Sequence, residues 1–535
     1  MEFLALTFAL LVRAFVGLHP HSGEHSPPMF GDFEAQRHWM EVTVNLPIGD
    51  WYRQTVDNDL QYWGLDYPPL TAYLSWVFGK VAASWGASLS PLIALRSSRG
   101  HESVAGKAYM RGTVLLMDLL VLLPAVVLLS RALTVPPKKN SPHQPKLVAM
   151  AALFSLPSIL LIDHGHFQYN GVCIGLALWA ALYLHRGQEI SACILFCLSL
   201  NFKQMALYFA PVFFFALLRK AVVEERSFSA KLTHLAALGI TVLGTFALLW
   251  APFCIYSQTT EESCASSLLH VLKRQFPFER GIFEDKVANL WYAASRVIDP
   301  RTFMSQTWLL RASLALTLVF LAPTAICLMR CELTLERLLL ALVNSALAFF
   351  LASFQVHEKS LLLALVPAAF FIFFQTAPVP KGRKGHSGTA GSSNDDNAFK
   401  LLAVWFQVFG CFTMFPLLRR EGLATAYVAC NLLFLGLVLT SGYIEGLEDV
   451  GAGARVETKS KSVAPLQSAP IVGRLQRGFV IVSTVGAVAL HLAELFVSPP
   501  LSKPHLYPAL ISVYGAANLS VFFAFTLYKQ QCSYR

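Results

Sequence analysis

Apolar runs long enough to cross a bilayer recur from one end of this 535-residue chain to the other. A hydrocarbon core of about 30 Å requires about 20 apolar residues in helical form, and in lipid every backbone polar group must be paired within the chain. Of the residues, 55% are hydrophobic and only 14% charged, against about 25% charged in soluble domains. The chain therefore reads as an all-α polytopic membrane protein, not a soluble globular one. A net charge of +10 would suggest nucleic acid in a soluble protein. Here Lys and Arg sit mostly in short connections between apolar runs, the positive-inside pattern, so no nucleic-acid partner is expected.

Residues 3–18 could be read as a cleaved signal peptide, but no basic residue precedes the apolar stretch and Arg13 interrupts it. No small-residue cleavage site follows, so an uncleaved first span is expected. Residues 67–87 decide the count. If they cross, Pro136-Pro137-Lys138-Lys139 falls outside. If they lie in the interface, that basic loop is cytosolic. Lys80, Trp76, Trp85 and the Pro-Pro start suit an interfacial helix. The first external loop then runs from about 19 to 107. Spans are expected at about 3–18, 108–132, 147–162, 170–185, 188–202, 205–219, 232–252, 306–329, 336–353, 360–376, 399–416, 423–442, 478–497 and 506–528, fourteen in all with both ends cytosolic.

With this count the loops sort by chemistry. One side receives Arg131, Lys138, Lys139, Lys146, Arg219, Lys220 and two Gly/Ser-rich charged linkers, 378–397 and 444–475. The other receives the dense mixed clusters Asp163–Asn170, Phe202-Lys203-Gln204, Arg280–Lys286 and Gln355-Val356-His357-Glu358-Lys359. Arg419 and Arg420, in a short external loop, break the rule. No internal repeat is detectable, which argues against an inverted-repeat transporter. A flippase or carrier should also place polar groups at the bilayer midplane, whereas these gather at span ends, as in an enzyme acting at the surface. Ten Cys are scattered without a CxxC pair, so neither a zinc site nor a disulfide framework is indicated; Cys254 and Cys264 flank one polar loop and could pair across it.

Ionisable groups at a bilayer boundary are costly and mark function. Gly31-Asp32-Phe33-Glu34-Ala35-Gln36-Arg37-His38-Trp39 is the densest such stretch. Asp32 and Glu34, two apart, do not share a helix face, so one can act while the other orients or pairs. Partial desolvation would raise a carboxyl pKa and favour a general base. Equally, Asp32 can cap a helix and Glu34 pair with Arg37. Asp66 is a second acid or a turn residue before Pro68. Trp63 and Tyr67 can stack on sugars or anchor in an aromatic belt. His164, His166 and Asp163 suit phosphate donors, a metal or a hydrogen-bonded tie between spans. Lys203, His357 and Lys359 at span ends can neutralise a departing phosphate or snorkel. Arg280, Glu284 and Asp285 are acceptor contacts or a salt-bridged loop. No P-loop, GxSxG, HExxH or Rossmann fingerprint is present, so a lipid-borne substrate carrying its own activation is expected.

At Pro27–Trp39, Tyr62–Tyr73, Asp163–Asn170, Phe202–Tyr208 and Arg280–Asn289 the sequence closely resembles the endoplasmic reticulum glucosyltransferases that use dolichyl phosphate glucose, and within them the branch adding the first glucose more than the sibling adding the second. The resemblance implies a GT-C fold, with a catalytic membrane module over 1–253 that includes luminal loop 19–107. A luminal loop over 254–305 and a variable module over 306–535 follow. It implies inverting transfer of glucose from dolichyl phosphate β-glucose to a mannose of a dolichyl-pyrophosphate-linked oligosaccharide, in α-1,3 linkage, on the luminal face. By motif match Asp32 is the base, Asp66 belongs to the second acidic motif, and His357 lies near the donor phosphate. No cofactor and no metal are implied. Relatives carry a longer segment before the first span than this chain does.

Overall fold

The computed structural model describes residues 2–133, 144–256, 263–276, 286–373, 391–443 and 471–532. Arg280, Glu284 and Asp285 lie outside them, as do most of the two expected linkers. The last residues of those linkers belong to helices that begin at Gly391 and Ile471, so the linkers are shorter than the composition suggested.

The described residues form helices and no strand. Eight helices are long and apolar enough to cross a membrane by length and composition: Val104–Leu133, Lys146–Phe167, Gln204–Glu224, Phe228–Ile255, Gln306–Arg330, Leu335–Ala352, Ile471–Phe496 and Leu506–Gln531. Asn170–His185, Glu189–Phe202 and Ala424–Thr440 are apolar but shorter. The three other expected spans fall on the helices Glu2–Gly17, Leu362–Phe373 and Gly391–Thr413. Leu335–Ala352 and Lys146–Phe167 are central, each with 83% of its apolar window buried. Phe228–Ile255 and Ile471–Phe496 are peripheral and turn Ile240, Leu243, Ile481 and Val482 outward.

Arg13 in the first helix is buried, and its Nε donates to Asp118 Oδ2 at 2.8 Å while Nη1 reaches the Phe154 carbonyl at 2.7 Å. His164 Nε2 lies 2.9 Å from the same Asp118 oxygen. This triad ties three helices through charges that would be prohibitive in lipid if unpaired.

The segment between the first helix and Val104 is folded. Gly31–Asn45 packs along Pro69–Ser84. The two approach closely at Gly79, where a Cβ would lie 2.4 Å from Val44 Cγ2 and 2.9 Å from the Met40 carbonyl. Pro69–Ser84 spans about 24 Å at 1.5 Å per residue, short of a bilayer crossing, and Trp76 on it and Trp85 just past its end stay exposed. Its other face joins Met40, Phe33, Phe167, Tyr169 and Phe202 in a core that seats the loop helices on the ends of the apolar ones. A second core, with Trp39, Trp51, Tyr52, Leu65 and Phe253, reaches to Val271. Val271 belongs to the helix Cys264–Gln275, which a Cys254–Cys264 disulfide joins to Phe228–Ile255.

Candidate active site

Asp32 lies in the first turn of Gly31–Asn45, where aligned N–H groups favour negative charge. The turn is set by two left-handed residues, Phe30 (φ 57°) and Gly31 (φ 69°). At Gly31 a Cβ would meet Ser22 Oγ at 2.6 Å, and that hydroxyl accepts from the Asp32 N–H at 3.1 Å.

Four side chains from distant parts of the chain converge here. His166 Nε2 is 2.8 Å and Gln168 Nε2 2.5 Å from Asp32 Oδ2. Lys359 Nζ makes a close ion pair with the same oxygen. Behind them Glu421 Oε2 lies 2.6 Å from His166 Nδ1. His166 and Gln168 flank Phe167, which is buried with φ 90°. That break in the helix lets residues two apart aim at one oxygen, at an expense on the order of 1–3 kcal/mol. Phe33 and Tyr169 pack on the Phe167 ring, with Arg111 over it, and they hold it in place.

Burial alone would raise the Asp32 carboxyl, as expected from its position, but the Lys359 and His166 charges outweigh it and hold the group well below the usual carboxylate range. The expected upward shift is thus reversed. The reason is that two cations share the site, so Asp32 is ionised at neutral pH and its ion pairs weaken only as pH falls through that lowered value. Burial pushes Lys359 down, but the Asp32, Glu358 and Glu421 carboxylates together outweigh it and raise it. The carboxylate is 22% exposed, and its bonds to these neighbours all use Oδ2, not Oδ1.

Lys203, just past the end of Glu189–Phe202, donates to Asn170 Oδ1 at 2.6 Å and Gln168 Oε1 at 3.2 Å and lies 4.7 Å over the Tyr67 ring. Burial, with Lys359 nearby, pushes it down to about 8, so its charge responds to what binds beside it. Tyr67 Oη approaches Gln168 Oε1 at 3.3 Å, and its ring packs on Trp39. Trp63 Nε1 donates to the Met29 carbonyl. Arg274 holds the turn before Asp66 through the Gly64 and Leu65 carbonyls, and Gln204 Nε2 reaches the Asp66 carbonyl at 3.3 Å. His357 is exposed two residues before Lys359.

Not every candidate comes to Asp32. Glu34 is buried in a two-point pair with Arg37, both contacts 2.6 Å, and also takes bonds from Tyr62 Oη and the Gly100 N–H. Its oxygens are thereby occupied, the pairing that the i,i+3 spacing offered. His164 faces Asp118 and Arg13 instead of the donor-phosphate position expected of it, because the helix turns it away from His166. Gln168 and Glu421 had no role in the sequence reading. The signal for Glu421 was its neighbours Arg419 and Arg420, the exception to the expected charge rule.

A carboxylate bonded to its neighbours through one oxygen, and ringed by cations at one end of a helical membrane assembly, is suited to deprotonating a hydroxyl beside an anionic leaving group. Residues 6–381 and 390–526 match the ALG6, ALG8 glycosyltransferase family, and the chain belongs to that family. It is 38% identical to the dolichyl pyrophosphate Man9GlcNAc2 alpha-1,3-glucosyltransferase of Gallus gallus, over 98% of this chain and 95% of that one. Identity to the Saccharomyces cerevisiae protein of the same name is 35%, over 99% and 91%. A Dictyostelium discoideum protein named as a probable one is 37% identical over 95% and 90%.

Proposed function

We propose that this chain transfers glucose from dolichyl phosphate β-glucose to Man9GlcNAc2 on dolichyl pyrophosphate, in α-1,3 linkage with inversion, at the luminal face of the endoplasmic reticulum membrane. The architecture is GT-C, with fourteen spans and Pro69–Ser84 lying in the luminal interface. The observation that carries the reading is the Asp32 carboxylate, ionised by Lys359 and His166 and bonded to both through Oδ2, in a chain similar along nearly its whole length to proteins named for this acceptor. Those names favour the first glucose over the second.

In the reaction the mannose 3-hydroxyl oxygen bonds to the glucose anomeric carbon as the bond from that carbon to the phosphate oxygen breaks. The electron pair leaves on dolichyl phosphate and the proton passes to Asp32. One displacement inverts the configuration. Lys359 and His166 neutralise Asp32 before substrate binds and are shared with the phosphate as its charge grows. Lys203 and the rim residue His357 add to that field. Trp63 and Tyr67 form a sugar-facing wall, Asp66 sits in the second acidic turn, and Arg280, Glu284 and Asp285 contact the acceptor. The test is transfer by purified protein between two defined lipid carriers, with Man9GlcNAc2 and its monoglucosylated form offered in parallel. Glucose added only to the latter would assign the second step instead.

A further inference from the structure

We infer that Glu421 is a positioning residue for the transfer: through His166 it fixes an imidazolium against Asp32 and the donor phosphate. The inference rests on the base reading of Asp32 given above.

The argument starts from hydrogen-bond inventory. His166 Nδ1 is 2.6 Å from Glu421 Oε2, and Nε2 is 2.8 Å from Asp32 Oδ2. Both partners are carboxylates, which only accept when ionised, and a neutral imidazole carries one N–H. Only the imidazolium satisfies both carboxylate contacts. The Lys359 ammonium, 3.2 Å from Nε2, could donate to that nitrogen only in a neutral ring, but it has Asp32 Oδ2 as a nearer acceptor. His166 and Glu421 are 2% and 6% exposed, so water does not substitute for either. The groups facing His166 come from four elements: Asp32 at the start of Gly31–Asn45, Lys359 at 3.2 Å after Leu335–Ala352, Glu421 after Phe415–Arg420, and Arg111. Arg111 lies on Val104–Met117 and donates to the adjacent Gly165 carbonyl at 2.7 Å. Two of these neighbours are cations and repel a charged ring. Asp32 alone would have to balance Lys359 and His166 together. Glu421 supplies the second negative charge, so two carboxylates face the charged ring and its two cationic neighbours.

The consequence is functional because Asp32 must give up part of this pairing to take a proton while the leaving phosphate gains charge. With Glu421 in place, His166 keeps its positive charge at the moment the phosphate needs it. Without it, the ring becomes a neutral Nε2–H donor.

Glu421→Gln is close to isosteric, and its amide N–H can donate to Nδ1, keeping the ring oriented while deleting the charge. It should lower kcat by roughly 10–100-fold, the scale of one charge-assisted hydrogen bond, with a smaller change in donor KM. The alkaline limb of its pH–rate profile should move to lower pH. In a His166→Gln background the same substitution should change kcat by less than about twofold. An unmoved limb with wild-type kcat, or a full effect that persists without His166, overturns the inference. If Glu421→Gln is not recovered folded, His166→Gln alone should move that limb, leaving at most the loss of the Lys203 charge near pH 8, and a limb unchanged from wild type overturns it equally. Loss of transfer in Asp32→Asn beside a wild-type Glu421→Gln refutes only the role of Glu421. Transfer by Asp32→Asn refutes the base reading beneath it.

Discussion

Replacing Asp32 by Asn tests the chemistry most directly, because it removes the base and keeps the shape. The amide oxygen can still accept from His166 and Gln168, but it cannot take a proton. A positioned general base typically contributes 10²–10⁴-fold, or about 3–5 kcal/mol of barrier at 1.36 kcal/mol per decade. The stability term is smaller. Breaking a buried ion pair costs about 3–5 kcal/mol, but Lys359 and Asp32 are 16% and 22% exposed, and Glu421 still balances one of the two cations. A loss on the order of 1–2 kcal/mol follows, too little to unfold the chain. The assay is transfer of labelled glucose from dolichyl phosphate glucose to Man9GlcNAc2-pyrophosphate-dolichol, with thermal unfolding and donor binding measured on the same preparation. Asp32→Asn should unfold within a few degrees of wild type, bind donor, and transfer at no more than about a hundredth of the wild-type rate. Turnover near wild type would refute the assignment. So would loss of activity that merely tracks loss of fold.

Three further outcomes follow. Single cysteines at Val56, which is 90% exposed, and at Ser97 should both resist an impermeant thiol reagent added outside intact microsomes; labelling at Ser97 alone would mean that Pro69–Ser84 crosses. Transfer should survive EDTA, since protein cations already surround Asp32, while His357→Ala should lower turnover and leave the fold intact; activity abolished by EDTA and restored by Mg²⁺ or Mn²⁺ would recast Asp32 as a metal ligand. Gly79→Ala should destabilise by about 1–3 kcal/mol, an overpacking penalty, since its Cβ would overlap Val44 and approach the Met40 carbonyl; an unchanged melting temperature would show that the helix pair parts freely.

Much of the helical layout was legible because hydropathy in a membrane chain is a strong, local signal. Each expected span falls on a helix, although among the described residues only eight helices have crossing length and hydropathy on their own. Asp32 was legible for a related reason: a carboxylate among bases and aromatics at an apolar boundary has few cheap explanations. The rest depends on contacts that sequence spacing does not encode. Glu34 and His164 look as available as Asp32 and His166 on paper. Arg37 at i+3 captures the first, and Asp118, 46 residues away, captures the second. Phe167 shows why the neighbours diverge. A continuous helix would point His166 and Gln168 on different bearings, and only a buried residue at φ 90° brings both to one oxygen.

The reach of the site into the C-terminal half is the part least visible beforehand. Lys359 is 327 residues from Asp32, and Glu421 is 255 from His166. Lys359 follows the central helix Leu335–Ala352 and Glu421 the short helix Phe415–Arg420, so their positions relative to Asp32 depend on how those helices stack. A substitution in that stack, far from any sugar, would shift the cations around Asp32 before it unfolded anything. The loop that reads as an exception to the charge rule, Arg419-Arg420-Glu421, is also the one that carries an acidic side chain to His166, while Arg419 beside it pairs with Glu494.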